Sequence, residues 1–524
     1  MKKWYTKALM SILFGSAIAA CSDMNDLHDK YLEGGETIYL AKFDSVSLHP
    51  GRERLMIEYW LSDPKAKKCE IKWNLGESST VVDISQSEGD TPNVLYLSEL
   101  KEGSTSFDFV VYTEDMKYPS LKMNYTTTIY GDKYQSTLMN ATAVSPEYNM
   151  PDKEFVFKWS SNYEGVVAYK LKYVTRTGET KNLRLEPTDE KTVVLADFPE
   201  DGSFEYSTVY CPTTLTIDEF ETPTHTRTFD IGGDAAYELK ASMQANASLG
   251  SDWSVINDYM KSLGWEYTEH PNNADGKDHE GVSHCKVVND KTLGQYVFQF
   301  DIHAKAKSDK TIDILDGDRG ELIDRQRNEM KTQTKADCYH MNGNWDEWQT
   351  LEWKFKIPKG FRPTKDFTHI HQLKAQEGNN GSPIITITPR ADDAKSKNAR
   401  IQVIHTGESS SRGTIIDNLP IKDFEDQWIQ VTTKMHYTHN GYFYIKMVRI
   451  SDGKVLVDKA FYDMDMWRKD AINIRSKFGI YRSFGTTIDS KKTFPTNGIK
   501  DEKLYLGDFK IYEKKTNTDP QPHE

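Results

Sequence analysis

Arg325-Gln326-Arg327-Asn328-Glu329-Met330-Lys331, His369-Ile370-His371-Gln372-Leu373-Lys374 and Lys477-Phe478-Gly479-Ile480-Tyr481-Arg482-Ser483 are the three pieces of sequence on which the reading of this chain turns. As β-strands, each sends alternate side chains to opposite faces. Arg325, Arg327, Glu329 and Lys331 then share one face of the first strand, and His369 and His371 one face of the second. Lys477, Gly479, Tyr481 and Ser483 share one face of the third, while Phe478 and Ile480 point the other way into a core. Three strands with charged or titratable groups along one side predict a single polar cleft on a sheet.

Around these pieces, residues 236–516 carry an almost unbroken β pattern. Gln295 to Ile302, Thr350 to Ile357, Ile384 to Ile387 and Arg400 to Ile404 alternate, and Leu504 to Tyr512 supplies a closing strand. Asn440-Gly441 and Asp452-Gly453 are hairpin turns. One helix is predicted between Ser251 and Leu263. So long a run of strands predicts one large β-jelly-roll domain rather than several small sandwiches. Upstream, short strands with turn signals predict two small β-sandwich modules of fibronectin type III or immunoglobulin type, residues 37–132 and 133–231. They read as a repeat: Glu154 to Trp159 echoes Ile57 to Trp60, and Val193 to Phe204 echoes Val94 to Phe107. Ile231-Gly232-Gly233-Asp234 marks the boundary before the jelly roll. The predicted class is all-β, with a spacer role for the two modules.

The chain has 524 residues, 37% hydrophobic and 28% charged, with a net charge of −13. That balance disfavours nucleic acid as a partner. A polyanion could bind only through a local basic patch such as Arg319, Arg325, Arg327, Lys331 and Lys335. Lys2, Lys3 and Lys7 precede an apolar run from Ala8 to Ala20, which reads as a signal peptide over residues 1–20. Ile18-Ala19-Ala20-Cys21 resembles the lipobox of bacterial lipoproteins, which implies lipidation of Cys21, a tether over residues 21–36 and an outer-membrane, cell-surface location. Cys69, Cys211, Cys285 and Cys338 show no CxxC spacing, so no zinc site is predicted. Export permits a disulfide, for which Cys285 with Cys338 is the pair to test, and unpaired thiols are the alternative. Asp313, Asp316 and Asp318 lack the spacing of an EF-hand calcium loop. No metal or cofactor is predicted, and the chain is expected to be a monomer.

Arg, His, Tyr and Lys on one face suit a particular chemistry. Cleaving a polyuronate by β-elimination removes the weakly acidic C5 proton beside a carboxylate. The charge that develops there must be neutralised, a task for Arg, which grips a carboxylate with two bonds. A base takes the proton and an acid protonates the leaving O4. His and Tyr serve when their surroundings adjust them, and cations beside a phenol favour its phenolate.

The three pieces, in this order, resemble the signature strands of jelly-roll polysaccharide lyases, the group containing alginate lyases, glucuronan lyases and heparin lyase I. Arg327-Asn328-Glu329-Met330 is similar to their Arg-x-Glu-Leu strand, His369-Ile370-His371 to their Gln-Ile-His strand, and Lys477-Phe478-Gly479-Ile480-Tyr481 to their Lys-Ala-Gly-x-Tyr strand. The likeness spans residues 240–515 and departs at His369, where the family has Gln. It implies a lyase with Arg327, His371 and Tyr481 as catalytic residues. Arg327 would neutralise the uronate carboxylate with Glu329 holding it. His371 would be a base or a carboxylate contact, and Tyr481 the acid, alone or as base too. Lys477 would assist binding or favour the phenolate. His369, Glu329, Lys477, Arg325, Lys331, Gln402, His405 and Arg482 make the expected substrate-binding set, with Arg390 and Arg400 of lower rank. The implied partner is an acidic polysaccharide. Glucuronate and mannuronate place H5 and O4 on one side of the ring, where one Tyr serves both steps; other uronates need opposed groups and would recruit His371. Two alternatives stay open: a glycan-binding surface lipoprotein without catalysis, and a glycoside hydrolase on the same scaffold.

Overall fold

A computed structural model describes residues 39–160, 163–233, 236–270, 283–303, 325–393, 397–483 and 500–515. Cys21 with its leader and tether, Asp313, Asp316, Asp318 and Arg319 lie outside the described residues. The chain is nearly all β and antiparallel. It packs as two compact units, one running up to Asn140 with Tyr163–Tyr169 and Ser207–Pro223, the other holding Ala141–Asn162, Lys170–Tyr206 and Thr224 onward. No helix among the described residues is long and apolar enough to cross a membrane.

The first unit contains a two-sheet sandwich. Strands Ser45–Pro50, Leu55–Trp60 and Asn93–Leu97 form one sheet, and Lys68–Trp73, Ser78–Asp83, Gly103–Tyr112 and Met123–Ile129 the other. Alternation in sequence becomes alternation in burial: Leu55, Ile57 and Tyr59 point inward with Cys69, Ile71, Phe107, Phe109 and Val111, and the residues between them face outward.

The second unit is built on two facing sheets. Seven strands form the first: β1 (Trp265–Glu269), β2 (Arg325–Thr332), β3 (Thr368–Gln376), β4 (Ile385–Arg390), β5 (Arg400–His405), β6 (Gly413–Pro420) and β7 (Asn473–Ser483), in the order β1-β2-β7-β3-β4-β5-β6. The other sheet has eleven strands and includes Gln295–Ile302, Trp348–Lys356, Ile429–His436, Gly441–Arg449, Val455–Met464 and Glu502–Lys514. The hairpins expected at Asn440-Gly441 and Asp452-Gly453 join its neighbouring strands. Strand Val455–Met464 also pairs with Ala143–Asn149, so Ala143–Asn149, Glu154–Trp159 and Thr192–Ala196 continue the same sheet.

Between the two sheets lies the core, with Met330, Ile370, Leu373, Ile385, Ile387, Phe478 and Ile480 against Phe298, Phe300, Trp353, Phe443, Leu506 and Phe509. Phe478 is its hub, with ring centroids 5.2 Å from Trp353 and 5.0 Å from Phe509. Each such side chain contributes about 1.5–3 kcal/mol by leaving water. The expected helix forms at Trp253–Ser262, capped by the Asp252 carboxylate, which accepts from Ser254 N and Val255 N. Asn257 on its buried face accepts from Tyr267 N at 2.8 Å and so fixes β1 at the edge of the seven-stranded sheet. Cys69, Cys211, Cys285 and Cys338 carry thiols, so the Cys285–Cys338 disulfide does not form.

Candidate active site

The outer face of the seven-stranded sheet is the polar one, and its centre is the ladder between β2 and β7. Arg325 pairs with Ser483, Arg327 with Tyr481, Glu329 with Gly479 and Lys331 with Lys477. Their side chains stand together, and Asn328, Met330, Phe478 and Ile480 fall on the core side. The inward polar side chains of β2 are satisfied: Gln326 donates to His303 O, Asn328 to His284 O and Asp301 O, and Thr332 to Asn342 Oδ1.

On its other edge β7 meets β3 through an irregularity. His369 pairs with Tyr481 but His371 with Phe478, so Gly479 and Ile480 oppose the single residue Ile370. Such a bulge shifts the alternation by one residue. Gly479 sits there with φ +145°, and a Cβ on it would lie 2.1 Å from Asn328 O. Only glycine fits that backbone so close to β2. The expectation that His369 and His371 share a face therefore fails. His369 stands on the polar face, and Gln372 takes the next outward place opposite Lys477. His371 is 1% exposed among core rings, with centroids 4.7 Å from Phe478 and 5.3 Å from Trp353, and its Nδ1 bonds Lys477 O at 3.0 Å.

Two more expected residues fall on the inner side, here by plain alternation. Arg482 is in phase with Phe478 and Ile480; it is fully buried and donates to Gln326 Oε1 and Lys500 O. His405 is in phase with Ile401 and Val403, contacts Asp465 O at 3.0 Å and accepts from Arg412 N. Gln402 stays on the outer face, donating to Asp417 Oδ1.

One end of the face is a cluster of charges around Lys477, which is 1% exposed. Its ammonium contacts Glu269 and lies 3.9 Å from Glu329 Oε2. Glu269 also pairs with Arg327 at 3.2 Å and Lys331 at 3.4 Å, and Lys331 reaches Glu266 at 3.0 Å. Burial alone would push the Glu269 carboxyl up, but Lys477, Arg327 and Lys331 together outweigh it and hold the group well below the usual carboxylate range. Glu329 is fully buried, and burial raises its carboxyl against the pull of Lys477 and Arg327. Its Oε1 accepts from Gln372. Burial likewise lowers Lys477, with the two glutamates opposing. Lys374, beside Lys477 and Arg327 on this face, is brought down to about 8, chiefly by burial and then by those cations.

Tyr481 and His369 occupy the middle. Arg325 donates to the Tyr481 hydroxyl at 3.0 Å, and the Arg327 guanidinium lies 4.1 Å from the centroid of its ring. Tyr481 and His369 keep their ring centroids 5.9 Å apart, with Phe367 beside both and stacked on the imidazole at 4.6 Å. Burial first, then the nearby charges of Arg390, Lys374 and Arg327, lower His369 to about 3. It is therefore a neutral imidazole near pH 7. At the far rim Arg400 pairs with Asp417 at 2.7 Å and Asp392 at 2.6 Å.

Sequence reasoning missed Glu269, Gln372 and Thr388. Counting alternately from Trp265 and Tyr267 puts Glu269 in the core; a register shift between Glu266 and Glu269 turns it outward. The bulge does the same for Gln372. Thr388 was legible, since Thr386, Thr388 and Arg390 alternate with Ile385 and Ile387.

A family profile described as a domain of unknown function, DUF4998, matches residues 21–220. No curated protein matches the chain. Among solved structures, the family 7 alginate lyase A1-II′ in complex with its substrate is 11% identical, with TM-score 0.29, over 46% of this chain and 85% of that one. An alginate lyase from Chlorella virus is 12% identical, with TM-score 0.26, over 44% and 89% of the two chains. A two-domain fibronectin type III segment from chicken tenascin is 9% identical, with TM-score 0.16, over 36% and 99%.

Proposed function

We propose that this chain is a polysaccharide lyase that cleaves a uronate-containing polymer by β-elimination, held at the cell surface by a lipid on Cys21. One observation carries the reading: Arg325, Arg327, Tyr481 and His369 stand together on one face, with a guanidinium on the phenol oxygen and another over its ring. The Tyr481 oxygen accepts from Arg325, so its own proton is free to pass to the leaving O4. Arg327 and Arg325 meet the uronate carboxylate and spread the charge that builds as C5 loses its proton. His369 takes the place expected of His371. Its neutral ring holds a lone pair, and an anionic sugar among Arg327 and Arg390 offsets the cations that weaken it as a base.

The test is a panel of uronate polysaccharides with the ultraviolet absorbance of the unsaturated product as readout. At least one polymer is expected to give that absorbance with the wild-type chain. Tyr481→Phe should lose at least about 100-fold in rate while still binding that polymer. Normal turnover by Tyr481→Phe removes the phenol from its role. Shortening without absorbance points to hydrolysis, and binding without cleavage to a glycan-binding protein.

A further inference from the structure

Thr388 lies on β4, fully buried, with its hydroxyl oxygen 2.7 Å from His369 Nδ1. That hydroxyl donates its one proton to Thr386 Oγ1 at 2.9 Å. An oxygen whose proton is already committed can meet the imidazole only as an acceptor. His369 must then carry its proton on Nδ1. Phe367, stacked on the ring at an interplanar angle of 8°, holds its plane. From this geometry we infer that Thr388, oriented by Thr386, is a positioning residue that fixes the His369 tautomer with Nδ1 protonated and Nε2 bare.

The inference rests on the lyase reading for its consequence in catalysis, but not for the tautomer itself. A base must present an unprotonated nitrogen, and the hydrogen bond made by the other nitrogen decides which one that is. A cation at this site is disfavoured by burial and by Arg390, Lys374 and Arg327. Among the described residues, the hydrogen bond to the Thr388 hydroxyl is what sets the choice between the two neutral forms.

The experiment uses the full chain labelled with 15N, the His369 ring signals being assigned by their loss in His369→Gln. Long-range proton–nitrogen spectra of the wild type should show a protonated Nδ1 and a bare Nε2. Thr388→Ser keeps the hydroxyl and should keep that pattern with nearly wild-type kcat. Thr388→Val removes it and should mix or invert the tautomers and lower kcat by at least about tenfold with KM little changed. A wild-type ring protonated on Nε2, or a Thr388→Val ring that keeps Nδ1–H, overturns the inference. Loss of folding in Thr388→Val leaves the wild-type and Thr388→Ser spectra to decide. The expected spectra with no unsaturated product from any polymer would uphold the tautomer and sink the lyase reading instead.

Discussion

Replacing Gly479 with alanine tests the element that gives the polar face its arrangement. At φ +145° a Cβ would stand 2.1 Å from Asn328 O and 2.6 Å from Glu329 Cα. Both contacts are to the backbone of β2, which cannot swing aside as a side chain could. Holding a non-glycine residue at such a backbone angle costs about 1–3 kcal/mol. Forcing a methyl into a packed site costs about 1–3 kcal/mol more. Gly453 is a control, since its φ is +72° but a Cβ there meets nothing within 4 Å. Gly453→Ala should therefore show the angular strain alone. In urea, with a slope of about 3 kcal/mol per molar, Gly479→Ala should lower the unfolding midpoint by about 1 M, and Gly453→Ala by about half that or less. The assay is equilibrium unfolding followed by tryptophan fluorescence. Equal small shifts for the two variants would refute the close approach of β7 to β2, and with it the bulge that parts His369 from His371.

Glu269→Gln removes the charge that Lys477, Arg327 and Lys331 share; the three cations then repel one another, and stability should fall by roughly 3 kcal/mol, visible as a lower melting temperature. An unchanged melting temperature would mean that the cluster does not depend on Glu269. The pH dependence has a definite sign. Burial holds both His369 and His371 at about 3 against an ordinary value of 6.5. Above that ordinary value both are neutral folded or unfolded, and contribute no slope. Below it the unfolded chain takes up protons that the folded chain refuses, so stability falls with pH, by up to about 1.4 kcal/mol per pH unit for each ring. Unfolding measured between pH 6 and pH 4 should show a slope about 1.4 kcal/mol per unit smaller in His369→Gln than in the wild type; identical slopes would contradict a buried neutral His369.

How far the sequence could be read is clearest strand by strand. β2 and β7 pair residue for residue without a break, so simple alternation places Arg325, Arg327, Glu329, Lys331, Lys477 and Tyr481 on one face. β3 defeats alternation because its phase is set by a neighbour. Nothing within His369-Ile370-His371 announces that Ile370 will face two residues of β7. The signal lies elsewhere, in a glycine set between Phe478 and Ile480 in an otherwise well-filled strand. Arg482 and His405 are a different matter. Alternation already places them with Phe478 and Val403, and their polarity argues against burial only until partners are found. Of those partners, Gln326 and Asp465 O come from distant parts of the chain, while Lys500 O and Arg412 N lie 18 and 7 residues away in sequence. The same holds for the pairing of Val455–Met464 with Ala143–Asn149, for which no local pattern exists.

The two carboxylates beside the Lys477 ammonium bear on which chemistry the polar face can support. A retaining hydrolase needs a pair about 5 Å apart, both open to the sugar, one ionised and one protonated. Glu329 is fully buried and bonded by Gln372, and Glu269 is gripped by three cations. Neither is free to attack a sugar or to deliver a proton to one. Their work is to make a buried ammonium tolerable, since an unpaired charge as deep as Lys477 would shed its proton. Arg325 on the phenol oxygen and Arg327 over its ring keep positive charge at the centre of the face. Two guanidiniums on a phenol, beside a neutral imidazole, make a centre that would favour an anionic ligand over a neutral one.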